Sequence, residues 1–359
     1  MLRSALLAVA GSERIRGIVT TTPAARALVH RYVAGESSED AVAVARALRS
    51  AGLLVTLDYL GEDTTDAQRA AATAAQYVHL LGKLAAEGLT DGGAVEVSVK
   101  PTAVGLLLGM DEDDAGADSR APGTTADSAG SAIGRPAGRY WGQSTRGISA
   151  GRYGGWAPRK MGVQVATDHL ERIASAARAV GTTMTIDAED HRTTDAALRI
   201  AGSLRSRFPT VGTVVQAALR RTEGDVRQLA VPGTRVRLCK GAYAEPATEA
   251  FDARHDVDKS FARCLRILMS GPGYPMIATH DPRLIAITRS LGLARSHDSF
   301  EYQMLHGVRP DEQRRLASSG AKVRVYVPYG GDWYPYLVRR LAERPANLAL
   351  FLRSIASRS

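Results

Sequence analysis

Apolar residues follow two alternating periods along the chain. Short runs rich in β-branched residues predict strands, and most stretches between them repeat apolar residues every three or four positions, which is typical of amphipathic helices. Eight strands are predicted, at 53–61, 95–100, 184–187, 213–216, 236–240, 276–280, 300–304 and 323–327. Helices are predicted at 67–89, 167–180 and 193–207, with another helix start at 37–40. This βα alternation predicts an α/β fold, the parallel (β/α)8 TIM-type barrel.

Two regions stand outside the alternation and set the predicted domain organisation. Residues 1–51 are expected to form an N-terminal helical segment that packs on the barrel, and residues 52–359 are expected to form the catalytic barrel. The stretch at about 109–160 is rich in Gly, Ser, Ala and Asp and poor in large apolar residues. Because it cannot bury enough surface to fold alone, we expect a flexible insertion or lid in one barrel loop.

The main competing fold is a doubly wound parallel sheet. That fold would be expected to carry Gly-x-Gly-x-x-Gly directly after a strand, and the sequence has no such motif in that context. A phosphate-binding Gly-x-x-x-x-Gly-Lys-Ser/Thr loop is also absent from the sequence. The closed barrel is therefore the favoured fold.

Composition places the chain among ordinary soluble proteins. It has 45% hydrophobic and 23% charged residues, and its net charge of +9 comes from dispersed rather than clustered basic residues. This distribution suits an anionic surface or cofactor and does not indicate nucleic-acid binding. Two cysteines, Cys239 and Cys264, provide no disulfide framework and suit a reducing compartment. With no signal sequence or long apolar stretch recognised, we expect a cytoplasmic protein.

Polar residues end six of the predicted strands. Catalytic groups of such barrels lie at the C-terminal strand ends, so these side chains are candidates for one site. A helix starting near Asp332 would then bring further polar residues to one of its sides, including two adjacent guanidiniums suited to a small carboxylate. The alternative is a solvated Arg/Glu face. The strand-end candidates are Lys100, Asp187, Gln216, Arg237, Lys240, Thr279, His280 and Tyr326, and the helix candidates are Tyr336, Arg339, Arg340 and Glu343.

The chemistry open to this set is limited. His280 has no second His or Cys at ligand spacing, so no metal site is predicted. No Gly-x-Ser-x-Gly elbow is found, which disfavours a nucleophilic triad. The surplus of cations suits a substrate carboxylate and an electron-rich or phosphate-bearing cofactor. Redox chemistry by a bound cofactor therefore remains.

Eight ordered segments resemble the proline dehydrogenase family, flavin enzymes that begin proline catabolism. They are RYVAGE at 31–36, VTLDYLGE at 55–62, VSVK at 97–100, TIDAED at 185–190, VRLCKGAY at 236–243, ATHD at 278–281, FEYQML at 300–305 and the run at 323–345. The resemblance spans the chain except the insertion. It implies a (β/α)8 barrel holding FAD, which oxidises L-proline to Δ1-pyrroline-5-carboxylate by hydride transfer from C5 to flavin N5.

The resemblance also implies roles for individual residues around the substrate. Arg339 and Arg340 match an arginine pair that clamps the proline carboxylate, with Lys100 assisting. Tyr326 matches a tyrosine that packs on the proline ring and disfavours a hydroxylated one, and Tyr336 matches a second tyrosine of that pocket.

Further matches concern the helix and the cofactor. Glu343 matches a glutamate that orients the arginine helix, Asp187 an aspartate that orders neighbouring polar groups, and Arg237 an arginine at flavin N5. Small departures from the family pattern are Cys239 in place of a common valine and Pro101 in place of a usual leucine. Matches to FAD contacts or their neighbours are Gln216, Lys240, Gly241, Tyr243, Thr279 and His280.

Partners follow from the same resemblance. A membrane quinone is the expected electron acceptor, so peripheral contact at the inner face of the membrane is expected as well. A separate pyrroline-5-carboxylate dehydrogenase is expected for the next step. No nucleic acid is expected as a partner. Three alternatives stay open: hydroxyproline oxidation, which Tyr326 disfavours, a non-catalytic flavin-binding barrel, and a nucleic-acid binder.

Overall fold

A computed structural model describes residues 29–110 and 160–342, which form a closed parallel barrel. The eight strands follow each other around the barrel in chain order, and β8 closes it by pairing with β1 from Leu54–Arg324 to Tyr59–Tyr329. The predicted (β/α)8 fold is confirmed. The strands are β1 (Leu54–Tyr59), β2 (Val95–Val99), β3 (Met184–Ile186), β4 (Gly212–Gln216), β5 (Arg235–Cys239), β6 (Tyr274–Ala278), β7 (Glu301–Leu305) and β8 (Val323–Tyr329).

Helices surround the barrel and connect its strands. In the described ranges they are α1 (Ser38–Ser50), α2 (Ala67–Ala86), α3 (Lys160–Ala179), α4 (His191–Arg205), α5 (Thr222–Leu229), α6 (Arg254–Ser270), α7 (Pro282–Gly292), α8 (Pro310–Ser318) and α9 (Trp333–Ala342). None of these helices is both long and apolar enough to cross a membrane.

Local capping explains where the first helices begin. The Ser37 hydroxyl accepts the Asp40 N–H at 3.1 Å and the Asp40 carboxylate accepts the Ser37 N–H at 3.1 Å, a capping box that starts α1 as predicted. Asp66 starts α2 by accepting the N–H groups of Gln68 and Arg69 at 2.7 and 3.1 Å.

Several predicted boundaries are wrong by two residues or more, among them the end of β8 and the start of α3. Strand β8 continues to Tyr329 instead of ending before Pro328. Its neighbour β7 has already ended at Leu305, so the missing amide of Pro328 leaves no β7 acceptor unpaired. Helix α3 is already present at Lys160, seven residues before the predicted start. Within it, Gly162 lies against the Leu106 carbonyl, where a Cβ would come within 2.3 Å.

The barrel interior is polar, whereas its outer face is apolar. Val55, Leu57 and Val97 belong to the apolar core shared with the helices. The alternate residues point inward, where Glu96 accepts hydrogen bonds from Thr56 at 3.0 Å, Thr185 at 3.2 Å and Arg235 at 2.6 Å. The N-terminal half of the barrel is therefore filled by a buried ionic network rather than by the usual branched apolar layers.

A second apolar cluster joins the segment 29–36 to helix α9. Three hydrogen bonds fix this contact: Ala34 N to Pro328 O at 2.9 Å, Gly330 N to Gly35 O at 2.9 Å, and Trp333 Nε1 to a Glu36 carboxylate oxygen at 2.9 Å. The segment thus holds the start of α9. The cluster consists of Val29, Tyr32, Val33, Leu60, Val308, Trp333, Tyr334, Tyr336, Leu337 and Val338.

The domain division at residue 51 stays a prediction. Residues 1–28 and 111–159 lie outside the described part of the chain, and with them most of the predicted N-terminal extension and of the insertion or lid. Within the described part, α1 packs against β1 and β8.

Replacing Glu96 by Gln tests the importance of the interior ionic network. Burial alone would raise the pKa of Glu96, but the nearby Arg235, Arg324 and Arg237 outweigh it and lower the pKa to about 2. The carboxylate therefore stabilises the fold above its ordinary pKa of 4.5, and this contribution is lost as pH falls towards 2. We expect the variant to lose about 3–5 kcal/mol of unfolding free energy at pH 7 and less at pH 3, measured by urea unfolding.

The matched control is Glu87→Gln. Glu87 pairs with Arg46 on the surface, where the side chains are 42% and 55% exposed. Its loss should change the unfolding free energy by about 1 kcal/mol or less. Equal losses in the two variants would contradict the role given to the buried network.

Candidate active site

Lys100 stands at the C-terminal end of β2 and is held by a carboxylate from the neighbouring strand. Its Nζ lies 2.9 and 2.7 Å from the two carboxylate oxygens of Asp58, and both residues are buried, at 8% and 1% exposure. The pairing follows from register, because Asp58 pairs with Ser98 two residues before Lys100. Two adjacent strand ends thus present one fixed ion pair at the rim.

The pair stays ionised although it is buried. Burial disfavours the Lys100 ammonium, but the carboxylates of Asp58 and Asp187 outweigh it and raise the pKa of Lys100. Burial also raises the pKa of Asp58, and the Lys100 ammonium opposes that shift. Contact with both oxygens favours the charged form of the pair, so Lys100 offers a permanent positive charge to a ligand.

A second buried cation, Arg237, stands in the middle of the barrel. Its Nη1 donates to Asp187 at 2.6 Å and to the Ser98 hydroxyl at 3.0 Å, and its Nε donates to Gln303 at 2.5 Å. Tyr326 completes the group, because its hydroxyl donates to the other Asp187 oxygen at 2.7 Å and its ring centroid lies 5.2 Å from the Arg237 guanidinium. Three predicted residues, Asp187, Arg237 and Tyr326, are therefore brought together.

Electrostatics fix the protonation of this group. Burial opposes the charge of Arg237, but Asp187 and other anionic neighbours outweigh it and raise the pKa of the guanidinium. Burial and the carboxylates of Asp187 and Asp58 raise the pKa of Tyr326 well above its ordinary value. The Tyr326 phenol therefore keeps its proton and acts as a hydrogen-bond donor rather than as a base.

Gln216 and Gly241 lie side by side at the ends of β4 and β5. The Gln216 amide donates to the Glu189 carbonyl at 2.6 Å. Gly241 has φ +104, and a Cβ there would meet Ala218 Cβ at 3.1 Å and the Gln216 side chain at 3.2 Å. Glycine therefore allows the backbone after β5 to run close to this corner of the rim.

Lys240 lies among carboxylates at the edge of the same corner. Its Nζ contacts Asp258 at 2.5 Å and Asp281 at 3.2 Å, and its side chain is 28% exposed. Thr279 is buried, and its hydroxyl accepts the Asp281 N–H at 3.1 Å. Both residues are within one polar network around the start of α7.

Tyr243 and His280 also lie above the strand ends. The Tyr243 hydroxyl is 3.4 Å from a Glu62 carboxylate oxygen, which links the loops after β5 and β1. His280 Nε2 accepts the Leu305 N–H at 2.9 Å, so this nitrogen carries no proton. The remaining proton of the neutral imidazole is then on Nδ1.

Helix α9 carries the predicted arginine pair. Arg340 is partly buried, and its guanidinium carbon lies 5.3 Å from the centroid of the buried Tyr336 ring. Asp332, at the position before the helix, forms an ion pair with Arg69 of α2. The side chain of Arg339 and all of Glu343 lie outside the described part of the structure, so their contacts stay predictions.

Three residues of this site were missed by sequence reasoning about strand ends. Asp58, Ser98 and Gln303 hold Lys100 and Arg237 in place, and they lie within or before the strand ends. The signal available was the period of two, since Thr56 with Asp58 and Glu96 with Ser98 put polar residues on a single strand face. In the described ranges no group of three or more His, Cys, Asp or Glu residues could hold a metal ion.

Comparison with known proteins identifies the family. The sequence profile of the proline dehydrogenase family matches residues 41–352. The chain belongs to this family. Proline dehydrogenase 1 of Bacillus subtilis is 32% identical over 327 residues, covering 90% of this chain and 89% of that protein. Proline dehydrogenase of Deinococcus radiodurans is 32% identical over 332 residues, covering 91% and 90%. The resemblance read from the ordered segments is confirmed.

Solved structures agree with the barrel fold. The crystal structure of proline utilization A from Bdellovibrio bacteriovorus inactivated by N-propargylglycine matches with a TM-score of 0.69 at 22% identity. The match covers 90% of this proline dehydrogenase family member and 33% of the PutA chain. At this identity the similarity supports the fold alone.

Replacing Asp58 by Asn tests whether the Asp58 carboxylate stabilises the ammonium form of Lys100. Burial disfavours the ammonium form of Lys100, and the Asp58 carboxylate stabilises it. Without that carboxylate the pKa of the Lys100 amine should fall, as it does for unpaired buried lysines. Titration of ¹³Cε-labelled lysine signals by NMR would measure this shift, and Lys259, whose side chain is 65% exposed, provides an internal reference. Titration of Lys100 at the same pH in both proteins would contradict the ion pair.

Proposed function

We propose that this chain is a proline dehydrogenase that oxidises L-proline to Δ1-pyrroline-5-carboxylate. The observation that carries the proposal is a pair of buried cations, Lys100 at the C-terminal rim and Arg237 in the middle of the barrel, each fixed by a carboxylate from another part of the barrel. Membership of the proline dehydrogenase family supplies the reaction. A small imino acid with one carboxylate offers a suitable partner for the Lys100 ammonium.

The substrate carboxylate is assigned to Lys100 together with Arg339 and Arg340. Lys100 supports this assignment through its permanent charge and its position at the rim. Arg340 and Tyr336 lie together on α9, whose start is held by the segment 29–36. Guanidinium groups bind carboxylates through paired hydrogen bonds, so two arginines would fix both the position and the orientation of the substrate.

The described residues fit a flavin in their donor chemistry. Arg237 Nη2 is buried and has no hydrogen-bond partner among residues 29–110 and 160–342, although Glu96 lies 3.9 Å away. Gly241 lets the backbone approach a ligand, and Lys240 can face a phosphate. Together with Gln216, Tyr243, Thr279 and His280, these are the residues that would hold FAD. When bound, the flavin would accept the hydride equivalent that leaves proline C5.

The residues around the substrate keep their protons during this step. Tyr326 holds its proton towards Asp187, and Lys100 remains an ammonium, so neither supplies a base. Loss of hydride builds positive charge on the ring nitrogen and carbon, which requires the amine to lose its proton beforehand. The role of these side chains is therefore to orient proline and to shape the pocket around its ring.

Electrons are then expected to pass to a quinone, which implies peripheral contact with the membrane. The product is expected to pass to a separate pyrroline-5-carboxylate dehydrogenase.

Hydroxyproline is the competing substrate. Tyr326 disfavours it, because the phenol is fixed by Asp187 and leaves less room for an additional hydroxyl group. A non-catalytic flavin-binding barrel would have no need of a fixed cation at Lys100, which is assigned to the substrate rather than to the flavin.

Anaerobic addition of proline to the purified flavin-containing protein tests the function. We expect L-proline to bleach the visible flavin absorbance, because the cofactor is reduced as the substrate is oxidised. Hydroxyproline should bleach it more slowly. A yellow protein that neither imino acid bleaches would contradict the proposal and favour the ligand-binding alternative.

Replacing Arg340 or Arg339 by Met tests the carboxylate clamp. Each variant removes a charged hydrogen-bond donor worth about 1.5–3 kcal/mol, so KM for proline should rise by about 10- to 100-fold. Steady-state kinetics measure the effect, and Arg46→Met is the control, because Arg46 pairs with Glu87 on the surface. An unchanged KM in both α9 variants would contradict the assignment of Arg339 and Arg340 to the substrate carboxylate.

A further inference from the structure

Glu189 is a buried carboxylate that the proposed reaction does not use. It follows Asp187 by two residues in the loop after β3, and it is 3% exposed. Both of its oxygens are taken by one residue: Oε2 accepts the Thr102 N–H at 3.0 Å, and Oε1 accepts the Thr102 hydroxyl at 2.5 Å. A buried carboxylate with two such bonds fixes the loop that donates them.

Thr102 follows Lys100 by two residues and belongs to the short 3-10 turn Pro101–Val104. Its hydroxyl oxygen accepts the Asp63 N–H at 2.9 Å, and its carbonyl accepts the Thr64 N–H at 3.3 Å. This single threonine therefore joins the loops after β1, β2 and β3. We call Asp63, Thr102, Glu189 and Gln216 the rim brace, since Gln216 adds β4 through its bond to the Glu189 carbonyl at 2.6 Å.

The backbone at Asp63 gives an independent sign that the brace imposes a conformation. Asp63 has φ +57, a left-handed conformation that is uncommon outside glycine. The bond from its N–H to Thr102 helps to hold it there. Residues in such uncommon backbone conformations persist where the surrounding contacts hold them, and they are concentrated at binding and catalytic sites.

We propose that Glu189 and Thr102 are positioning residues that hold Lys100 and Asp187 at a fixed separation across the substrate site. The proposal rests on the proposed function for its substrate. Lys100 and Asp187 are each two residues from a member of the brace, and they come from neighbouring strands, β2 and β3. Small displacements of such groups have large kinetic effects, because the substrate must meet the carboxylate-binding and ring-binding groups together.

The burial of Glu189 explains why the brace depends on Thr102. Burial raises the pKa of Glu189, the two bonds from Thr102 oppose this shift, and the nearby Asp63 and Glu62 carboxylates add to it. Removing the Thr102 hydroxyl would leave the carboxylate with one bond fewer in a buried place. The loops after β1 and β3 would then lose their link through the hydroxyl, and only the backbone bonds of Thr102 to Thr64 and Glu189 would remain.

The test compares Thr102→Val with Thr102→Ser. The Val side chain keeps the shape but loses the hydroxyl, whereas Ser keeps both hydroxyl bonds. We expect Val to raise KM for proline by about tenfold with a smaller change in kcat, and Ser to restore the wild-type values. Tetrahydrofuran-2-carboxylate has oxygen in place of the proline nitrogen, and its dissociation constant should rise by the same factor in the Thr102→Val variant.

Two further variants separate positioning from general stability. Thr288→Val removes an equally buried hydroxyl that bonds only within α7, and KM should not change. In Glu189→Gln, the amide oxygen can accept only one of the two Thr102 bonds, and the amide NH₂ group faces the other Thr102 donor. KM for proline should therefore rise as in Thr102→Val. Equal KM values and dissociation constants in the Val and Ser variants would overturn the proposal.

A readout without substrate keeps this test apart from the proposed function. Amide hydrogen exchange at residues 61–64 and 102–104 should be faster in Thr102→Val than in Thr102→Ser. Faster exchange in a protein that does not oxidise proline would support the brace and refute the reaction. Proline oxidation by the wild type with identical exchange in both variants would support the reaction and overturn the brace.

Discussion

Positive charge inside the barrel is the constraint on which the rest of the structure depends. Arg237 and Arg324 are almost fully buried in the barrel, where an uncompensated charge is very unfavourable. Other strands supply the compensating groups across the barrel interior: Asp187, Ser98 and Gln303 for Arg237 on β5, and Glu301 from the adjacent β7 for Arg324. The strand register, the polar interior and the position of the rim cations are therefore linked.

This arrangement connects stability to function along the barrel axis. Near the N-terminal end, Glu96 and Glu301 meet Arg235 and Arg324 and have no assigned role in the reaction. Gln303 bonds both Glu301 and Arg237, so it joins that structural network to the rim. A site built on such a network is held by rigid strands, which keeps charged groups oriented before the substrate arrives.

Helix α9 is positioned in a different way. It lies outside the barrel interior, and its start is held by Glu36 through Trp333 and by Arg69 through Asp332. The segment 29–36 comes from the beginning of the described chain, yet it packs on the last described helix. The proposed substrate site would therefore be completed by contacts between distant parts of the sequence, a feature that no local pattern reveals.

Sequence patterns predicted the strands well, because each strand is a short β-branched run bounded by helical periodicity. They were wrong at Pro328, where β7 has already ended, and at the first turn of α3, where Gly162 lies against the Leu106 carbonyl. Lys100, Asp187, Arg237 and Tyr326 were predicted from strand ends and do meet one another or a shared neighbour. Their partners depend on register between strands, which a single strand does not specify.

A crystal structure with FAD and tetrahydrofuran-2-carboxylate is the most direct measurement of the central claim. We expect the ligand carboxylate within hydrogen-bond distance of Lys100 Nζ and of an α9 guanidinium, with Lys100 still paired to Asp58 and Arg237 to Asp187. A ligand bound away from Lys100, with the side chains of Arg339 and Arg340 directed into solvent, would contradict the account.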